Sequence, residues 1–176
     1  MECTVYIATS LDGFIARSDG GLDWLPEPGA EDYGYATFME SVDAIVMGRN
    51  TFEVALTFGA WPYEKPVVVL SSRPDSLPGP LPPGVRTSSG DPDAILAELT
   101  VAGAQHVYVD GGVTIRRFLE AGRISRMIIT TVPVLLGSGV PLFSGVTRDI
   151  RLQHVQTRSF PNGLVQSEYR VAPAPR

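Results

Sequence analysis

Residues 106–122 read HVYVDGGVTIRRFLEAG. The first four, His106 to Val109, form a short β-branched and aromatic run of the kind a buried strand needs. Two glycines follow Asp110, and paired glycines let a chain turn through conformations that other residues resist. From Gly112 the pattern changes period. Ile115, Phe118 and Leu119 fall at i, i+3 and i+4, one apolar helical stripe, until Gly122 stops it. A strand, a tight glycine corner and an amphipathic helix in so short a stretch are the repeating unit of an α/β sheet.

The same unit recurs on the N-terminal side. Thr4 to Thr9 is a β-rich run followed by a long glycine-containing loop, and a helix is expected around Asp32 to Val42. Ala44 to Met47 is a fully apolar strand leading into a helix over Asn50 to Leu56. Val67 to Leu70 is four apolar residues, three of them β-branched, as in a strand covered on both faces. Asp91-Pro92 supplies a cap and a first-turn proline for a helix through about Ala102. Beyond Gly122 come a strand over Met127 to Val132 and two more, about Leu152 to Ser159 and Leu164 to Val171. These last two flank the hairpin turn Pro161-Asn162-Gly163. The expected fold is therefore an α/β domain, one unit over residues 1–176. Its sheet should be mixed but mostly parallel, with an antiparallel hairpin at the C-terminal edge.

Composition agrees. Eighteen glycines and fifteen prolines in 176 residues make the chain heavily punctuated. Yet 44% hydrophobic and 19% charged residues give material for a core and exclude disorder, collagen and coiled coil. The densest proline stretch, Pro74 to Gly84, reads as a surface connection. No apolar run approaches the roughly 20 residues of a membrane span. No signal-peptide pattern opens the chain, and Cys3 is its single cysteine, so a cytoplasmic setting is expected. A net charge of −5 without a basic run argues against nucleic acid as a partner.

Several chemistries fail on inventory. Two distant histidines, His106 and His154, and one cysteine cannot build a zinc site, and no deaminase signature is present. Gly137-Ser138-Gly139 lacks the flanks of a nucleophile elbow, and no Gly-x-x-x-x-Gly-Lys phosphate loop occurs.

What remains is a set of strand ends. Met47-Gly48-Arg49-Asn50-Thr51 offers a glycine, a guanidinium and a first-turn hydroxyl. Leu70-Ser71-Ser72-Arg73 offers hydroxyls and a second guanidinium. Val109-Asp110-Gly111-Gly112-Val113-Thr114 offers bare N–H groups at a helix mouth. Ligands of open α/β sheets bind beyond the carboxyl ends of the strands, where helix N-termini point. Two arginines in place of an acidic ribose-binding residue suit a dinucleotide carrying an extra phosphate.

Five segments in order, IATSLDGFIA (7–16), VMGRNTF (46–52), VVVLSSRP (67–74), VYVDGGVTIRRFL (107–119) and TTVPVLLGSGVPLF (130–143), make the chain resemble the dihydrofolate reductase-like superfamily. Specifically, it resembles the branch containing the C-terminal reductase domain of the bifunctional riboflavin-biosynthesis deaminase-reductase. The resemblance implies a three-layer α/β/α fold and an NADPH-dependent reductase of a small pyrimidine- or pterin-like heterocycle. Dihydrofolate reduction, or a non-catalytic nucleotide-binding role on the same fold, are the alternatives. Ala8 and Ile15 would frame the nicotinamide. Gly48, Arg49 and Thr51 would hold phosphates, with Arg49 on the 2′-phosphate. Leu70, Ser71, Ser72 and Arg73 would line the adenosine side, and Gly111, Gly112, Val113, Thr114 and Ile115 the pyrophosphate. A cis peptide bond would be expected at Asp110-Gly111 or Gly111-Gly112.

On the substrate side the resemblance points to Asp12, Asp110 and Thr130. The proton would come from Asp32, which can open the helix leading to VMGRNTF, from the nearby Glu27 or Glu31, or from water. Related pyrimidine reductases grip a ribose phosphate with a basic helix after the first loop, whereas residues 27–43 here contain no Lys or Arg. Apolar segments such as PVLLGSGVPLF resemble those used for dimerisation, so a homodimer is expected.

Overall fold

The computed structural model describes residues 1–27, 31–73 and 77–172. One eight-stranded sheet runs through it, with spatial order β5-β4-β3-β6-β1-β7-β10-β9. The strands are β1 (Glu2–Ser10), β3 (Ala44–Gly48), β4 (Val67–Leu70), β5 (Val85–Ser88), β6 (His106–Asp110), β7 (Arg126–Val132), β9 (Leu152–Ser159) and β10 (Val165–Val171). Neighbours from β5 to β7 pair in parallel, while β10 pairs antiparallel with both β7 and β9. The antiparallel hairpin thus closes the C-terminal edge, as the Pro-Asn-Gly turn predicts. Gly163 takes φ 86 there and donates its N–H to the Phe160 carbonyl at 2.9 Å.

Helices α1 (Tyr35–Ser41) and α2 (Arg49–Leu56) cover one face, and α3 (Pro92–Val101) and α4 (Gly112–Glu120) the other. On the α3/α4 side, Ile95, Leu99, Ile115, Phe118 and Leu119 pack on Val46, Val68, Val107 and Val109. On the α1/α2 side, Phe38 and Phe52 pack on Ile45, Met47, Val67, Val69 and Tyr108. Alternate residues of each central strand feed the two cores, which is why β3 and β4 read as unbroken apolar runs. Asp91 caps α3 by accepting the Ala94 N–H at 2.9 Å, with Pro92 in the first turn.

The chain moves outward from β1 through β3, β4 and β5, then returns to lay β6 between β3 and β1. This reversal opens a crevice above the carboxyl ends of β1, β6 and β3.

Four local expectations differ. The first helix begins at Tyr35, three residues after Asp32, because Tyr33 (φ 53) and Gly34 (φ 87) are both left-handed. β5 follows the proline-rich connection, whose Pro74, Asp75 and Ser76 lie outside the described residues; four mixed residues gave no periodic signal. The stretch read as loop after β1 contains β2 (Phe14–Ala16), which pairs with β8 (Val140–Pro141). Gly139 permits that ribbon, since a Cβ there would collide with the Ala16 carbonyl. Finally, every described peptide bond is trans. Gly111 makes the corner through φ 89 and ψ 133, a rotation open to glycine that reverses the chain without a cis bond.

Candidate active site

A cleft of about 530 Å³ occupies the crevice. Its floor is the glycine corners ending β3 and β6. A Cβ on Gly111 would run into the Thr51 hydroxyl, and one on Gly48 would sit 2.9 Å from the Thr114 hydroxyl. The corners interlock, each glycine pressed on the third residue of the other corner's helix. Both glycines are also N-caps without a side-chain acceptor, so no cap side chain takes the first-turn N–H groups of α2 and α4. Two helix starts with bare N–H groups side by side form an anion cradle. A side chain in either corner would fill it. The residues present therefore fit a dinucleotide pyrophosphate.

Around the cradle stand most of the expected cofactor residues. Ala8, Ile15, Gly48, Arg49, Thr51, Leu70, Ser71, Ser72, Arg73, Gly112, Val113 and Thr114 all line the cleft, as Gly111 does. Ile115 does not: it is fully buried in the α3/α4 core, with its N–H on the Gly111 carbonyl at 2.8 Å. Arg49 reaches the cleft while its Nε donates to Glu53 at 2.6 Å, one helical turn on. Ser71 Oγ accepts the Arg73 N–H at 3.1 Å and shapes the exit of β4. Gly20, Leu22 and Leu25, from a loop braced by an Arg17–Asp23 ion pair of 2.7 Å, cover the cleft from the side of β2.

The opposite wall is aromatic. Tyr6, Tyr63 and Tyr108 line it, with Asp110 among them. Tyr35 stands edge-on to Tyr6 at 5.5 Å, and Phe38 stacks on Tyr6 at 4.9 Å. The Asp110 carboxylate accepts the Gly111 N–H at 2.7 Å and lies near the Tyr108 hydroxyl, which donates to the Tyr6 carbonyl at 2.9 Å. Burial outweighs both contacts and pushes its pKa up to about 6. Burial likewise raises Tyr35, to about 12, and raises Tyr63 and Tyr108, with the Asp110 charge adding to each. These phenols therefore stay neutral at physiological pH.

The other acidic candidates lie elsewhere. Asp32 is exposed, and both its carboxylate oxygens accept the Ala36 N–H, at 3.0 and 3.2 Å, so it fastens the start of α1. Glu27 and Glu31 are exposed and outside the cleft lining. Asp12 accepts from the Ser10 hydroxyl (2.6 Å) and from the N–H groups of Leu136 (3.1 Å) and Gly137 (2.7 Å). The Ser10 bond leads in holding its carboxyl below the usual range. It ties two loops together and does not line the cleft. Thr130 is buried, accepts from Gln166 Nε2 at 3.0 Å and does not line the cleft. The same Gln166 amide reaches the Tyr6 hydroxyl and the Tyr33 carbonyl, both at 3.1 Å. Tyr6 also donates to that carbonyl at 2.8 Å. This network holds Tyr33 in its left-handed conformation and so sets where α1 begins.

A profile of the RibD C-terminal domain matches residues 2–166. The chain belongs to this family. It is 36% identical over 163 residues to the uncharacterized protein YwjB of Bacillus subtilis (strain 168), covering 90% of this chain and 92% of that one. A crystal structure of a putative riboflavin biosynthesis protein from Shewanella sp. PV-4 is 40% identical, with a TM-score of 0.88 over 98% of this chain and 100% of that one. The deaminase/5-amino-6-(5-phosphoribosylamino)uracil reductase of Thermotoga maritima shares the fold. It has 16% identity and a TM-score of 0.74, over 97% of this chain and 56% of that one.

Within this family fold, Tyr63, Tyr6 and Arg117 are among the cleft residues that escape sequence reading. Tyr63 lies in the irregular stretch before β4, where no period exists to place it. Tyr6 is hidden in an ordinary strand pattern. Arg117 lines the cleft from α4, with Nη2 donating to the Gly90 carbonyl at 3.3 Å. A signal for it existed: Val113, Thr114 and Arg117 are spaced i, i+1 and i+4, and therefore share one side of the helix.

Proposed function

We propose that this protein is an NADPH-dependent reductase of a small, flat heterocycle of pyrimidine or pterin type, working in the cytoplasm. The single observation that carries the reading is the pair of interlocked glycine corners, with arginines around them and a tyrosine wall holding one carboxyl beside them. The bare first-turn N–H groups of α2 and α4 would hold the pyrophosphate. Arg49 and Arg73, with Ser71 and Ser72, would surround the 2′-phosphate and adenosine. Ala8 and Ile15 would flank the nicotinamide. When bound, the reduced nicotinamide supplies hydride. The chain's own part is to fix the cofactor on the floor, to hold the heterocycle against Tyr6, Tyr63 and Tyr108, and to exclude water with Leu22 and Leu25.

Homodimerisation is part of the proposal. Every residue of β9 is exposed, including Leu152 and Val155 at 43% and 44%, and β9 is an unpaired sheet edge. Apolar side chains on an open edge suit a second copy of the chain.

Equilibrium titration with NADPH and NADH tests the cofactor assignment. NADPH is expected to bind at least tenfold more tightly, and equal affinities would overturn it. NADPH oxidation is then followed with dihydrofolate and with the aminouracil ribosyl and ribityl phosphates. Turnover of either supports the reductase reading. Tight NADPH binding with turnover of neither would favour a nucleotide-binding protein without catalysis.

A further inference from the structure

We propose that Gln166, on β10 and outside the cleft lining, is a positioning residue for the substrate: it holds Tyr6 as a partition between two cavities and so fixes how deep a heterocycle can sit. This rests on the reductase reading and concerns the substrate side of that same cleft.

The partition is the first observation. A second cavity of about 220 Å³ lies beside the cleft, with Tyr33, Thr37, Arg158, Gln166 and Glu168 in its lining. Among the described residues, Tyr6 alone lines both cavities. Phe38 stacks on its ring at 4.9 Å and Tyr35 stands edge-on to it at 5.5 Å. Neither ring fills the second cavity, so close packing does not by itself fix the phenol on that side.

Hydrogen bonds do, and their directions are forced. The Tyr33 carbonyl can only accept. Tyr6 gives its one hydroxyl proton to that carbonyl at 2.8 Å, so toward Gln166 the phenol oxygen must accept. The donor to both oxygens is the Gln166 amide nitrogen, 3.1 Å from each and 3.0 Å from the Thr130 hydroxyl. Gln166 is 9% exposed, and its strand is paired on both sides, with Thr130 opposite it on β7 and Arg158 on β9. The amide is thus a fixed point in the sheet against which the phenol is held.

The hairpin secures the other end of this latch. Tyr33 accepts the Asn162 amide N–H on its hydroxyl at 2.6 Å, and its ring stands edge-on to Phe160 at 4.9 Å. Both partners belong to the connection between β9 and β10. A tyrosine at φ 53 is strained and persists only where its surroundings over-determine it, as they do here. With its proton committed to the Tyr33 carbonyl, the Tyr6 hydroxyl has none to donate to a ligand, so Tyr6 meets a heterocycle through its ring. Opening the latch lets that ring swing toward the second cavity, which deepens the cleft and loosens the fit of a flat ligand.

Two variants test this. Gln166→Met keeps the side-chain length and removes the donor, and Tyr6→Phe keeps the ring and removes the hydroxyl. Crystal structures of the apo proteins come first. The ring at position 6 is expected between the cavities in the wild type and displaced toward the second cavity in both variants. A ring that stays in place in both overturns the inference, and this readout needs neither cofactor nor turnover. With NADPH and whichever of dihydrofolate and the aminouracil phosphates reacts, each variant should raise KM for the heterocycle roughly three- to tenfold, with kcat and NADPH affinity within twofold of wild type. The double variant should be no worse than either single one, since both open the same latch. A merely structural role would lower the folded fraction, and with it the apparent kcat, at an unchanged KM. That outcome, or additive effects on KM, would overturn the assignment. Should Gln166→Met fail to fold, Tyr6→Phe carries both the crystallographic and the KM readout. Failure of the wild type to bind NADPH would instead sink the reductase reading, and the position of the ring would still decide on the latch.

Discussion

Exchanging Asp110 for Asn should stabilise this protein at pH 8 and do almost nothing at pH 4. An aspartate whose pKa rises from 3.8 to about 6 on folding binds its proton more tightly in the native state. Below pH 3.8 the carboxyl is protonated in both states and burial costs little. Between about pH 4 and 6 the unfolded chain releases the proton first, so stability falls as pH rises. Above about pH 6 the native state holds a partly desolvated carboxylate, at a cost of up to roughly 3 kcal/mol. Asparagine carries no charge to bury and keeps the oxygen that meets the Gly111 N–H, so the variant escapes that loss. Urea unfolding of both proteins from pH 4 to pH 8 measures it. Asp12, Asp43, Asp93 and Glu168, all with lowered carboxyl pKa values, impose an opposite trend. That trend is common to both proteins, so the difference in unfolding free energy is the quantity to read. It should grow by about 2–3 kcal/mol across the range. A difference that stays constant with pH refutes the claim that burial governs this carboxyl.

Three further outcomes follow from the same geometry. Gly111→Ala places a Cβ on the Thr51 hydroxyl at φ 89. Calorimetry should show a loss of about 1–3 kcal/mol, and NADPH titration should show binding abolished. Arg117→Ala removes a guanidinium from the cleft wall and should weaken NADPH about ten- to a hundred-fold; an unchanged dissociation constant would remove Arg117 from the site. Val155→Arg puts a charge in the middle of the open β9 edge. Light scattering should then report a monomer where a dimer is proposed for the wild type, and an unchanged dimer mass would place the contact elsewhere.

The central elements were legible because their signals are local. Val67 to Leu70 is apolar at every position, and all four residues are buried in the strand expected there. Asp91-Pro92 caps α3 through a bond between residues three apart. Glycines 48 and 111 announced themselves as corners since no other residue tolerates the approach or the dihedral. The short partners β2, β5 and β8 were not legible, because two to four residues define no period and their pairing comes from distant segments.

The site divided along the same line. The proposed cofactor side is built from strand ends and first helical turns, and there a residue's place in the sequence largely determines its place in space. The aromatic wall joins Tyr6 from β1, Tyr35 from α1, Tyr63 from an irregular stretch and Tyr108 from β6. Asp110 was visible as a residue before two glycines, and its neighbours were not. By itself, then, the sequence determined the layered α/β fold, the glycine cradle and the family. Only the tertiary structure decided which carboxyl enters the cleft. Whether an aspartate caps a helix in solvent, as Asp32 does, or sits half-buried among phenols, as Asp110 does, depends on desolvation by residues far away along the chain.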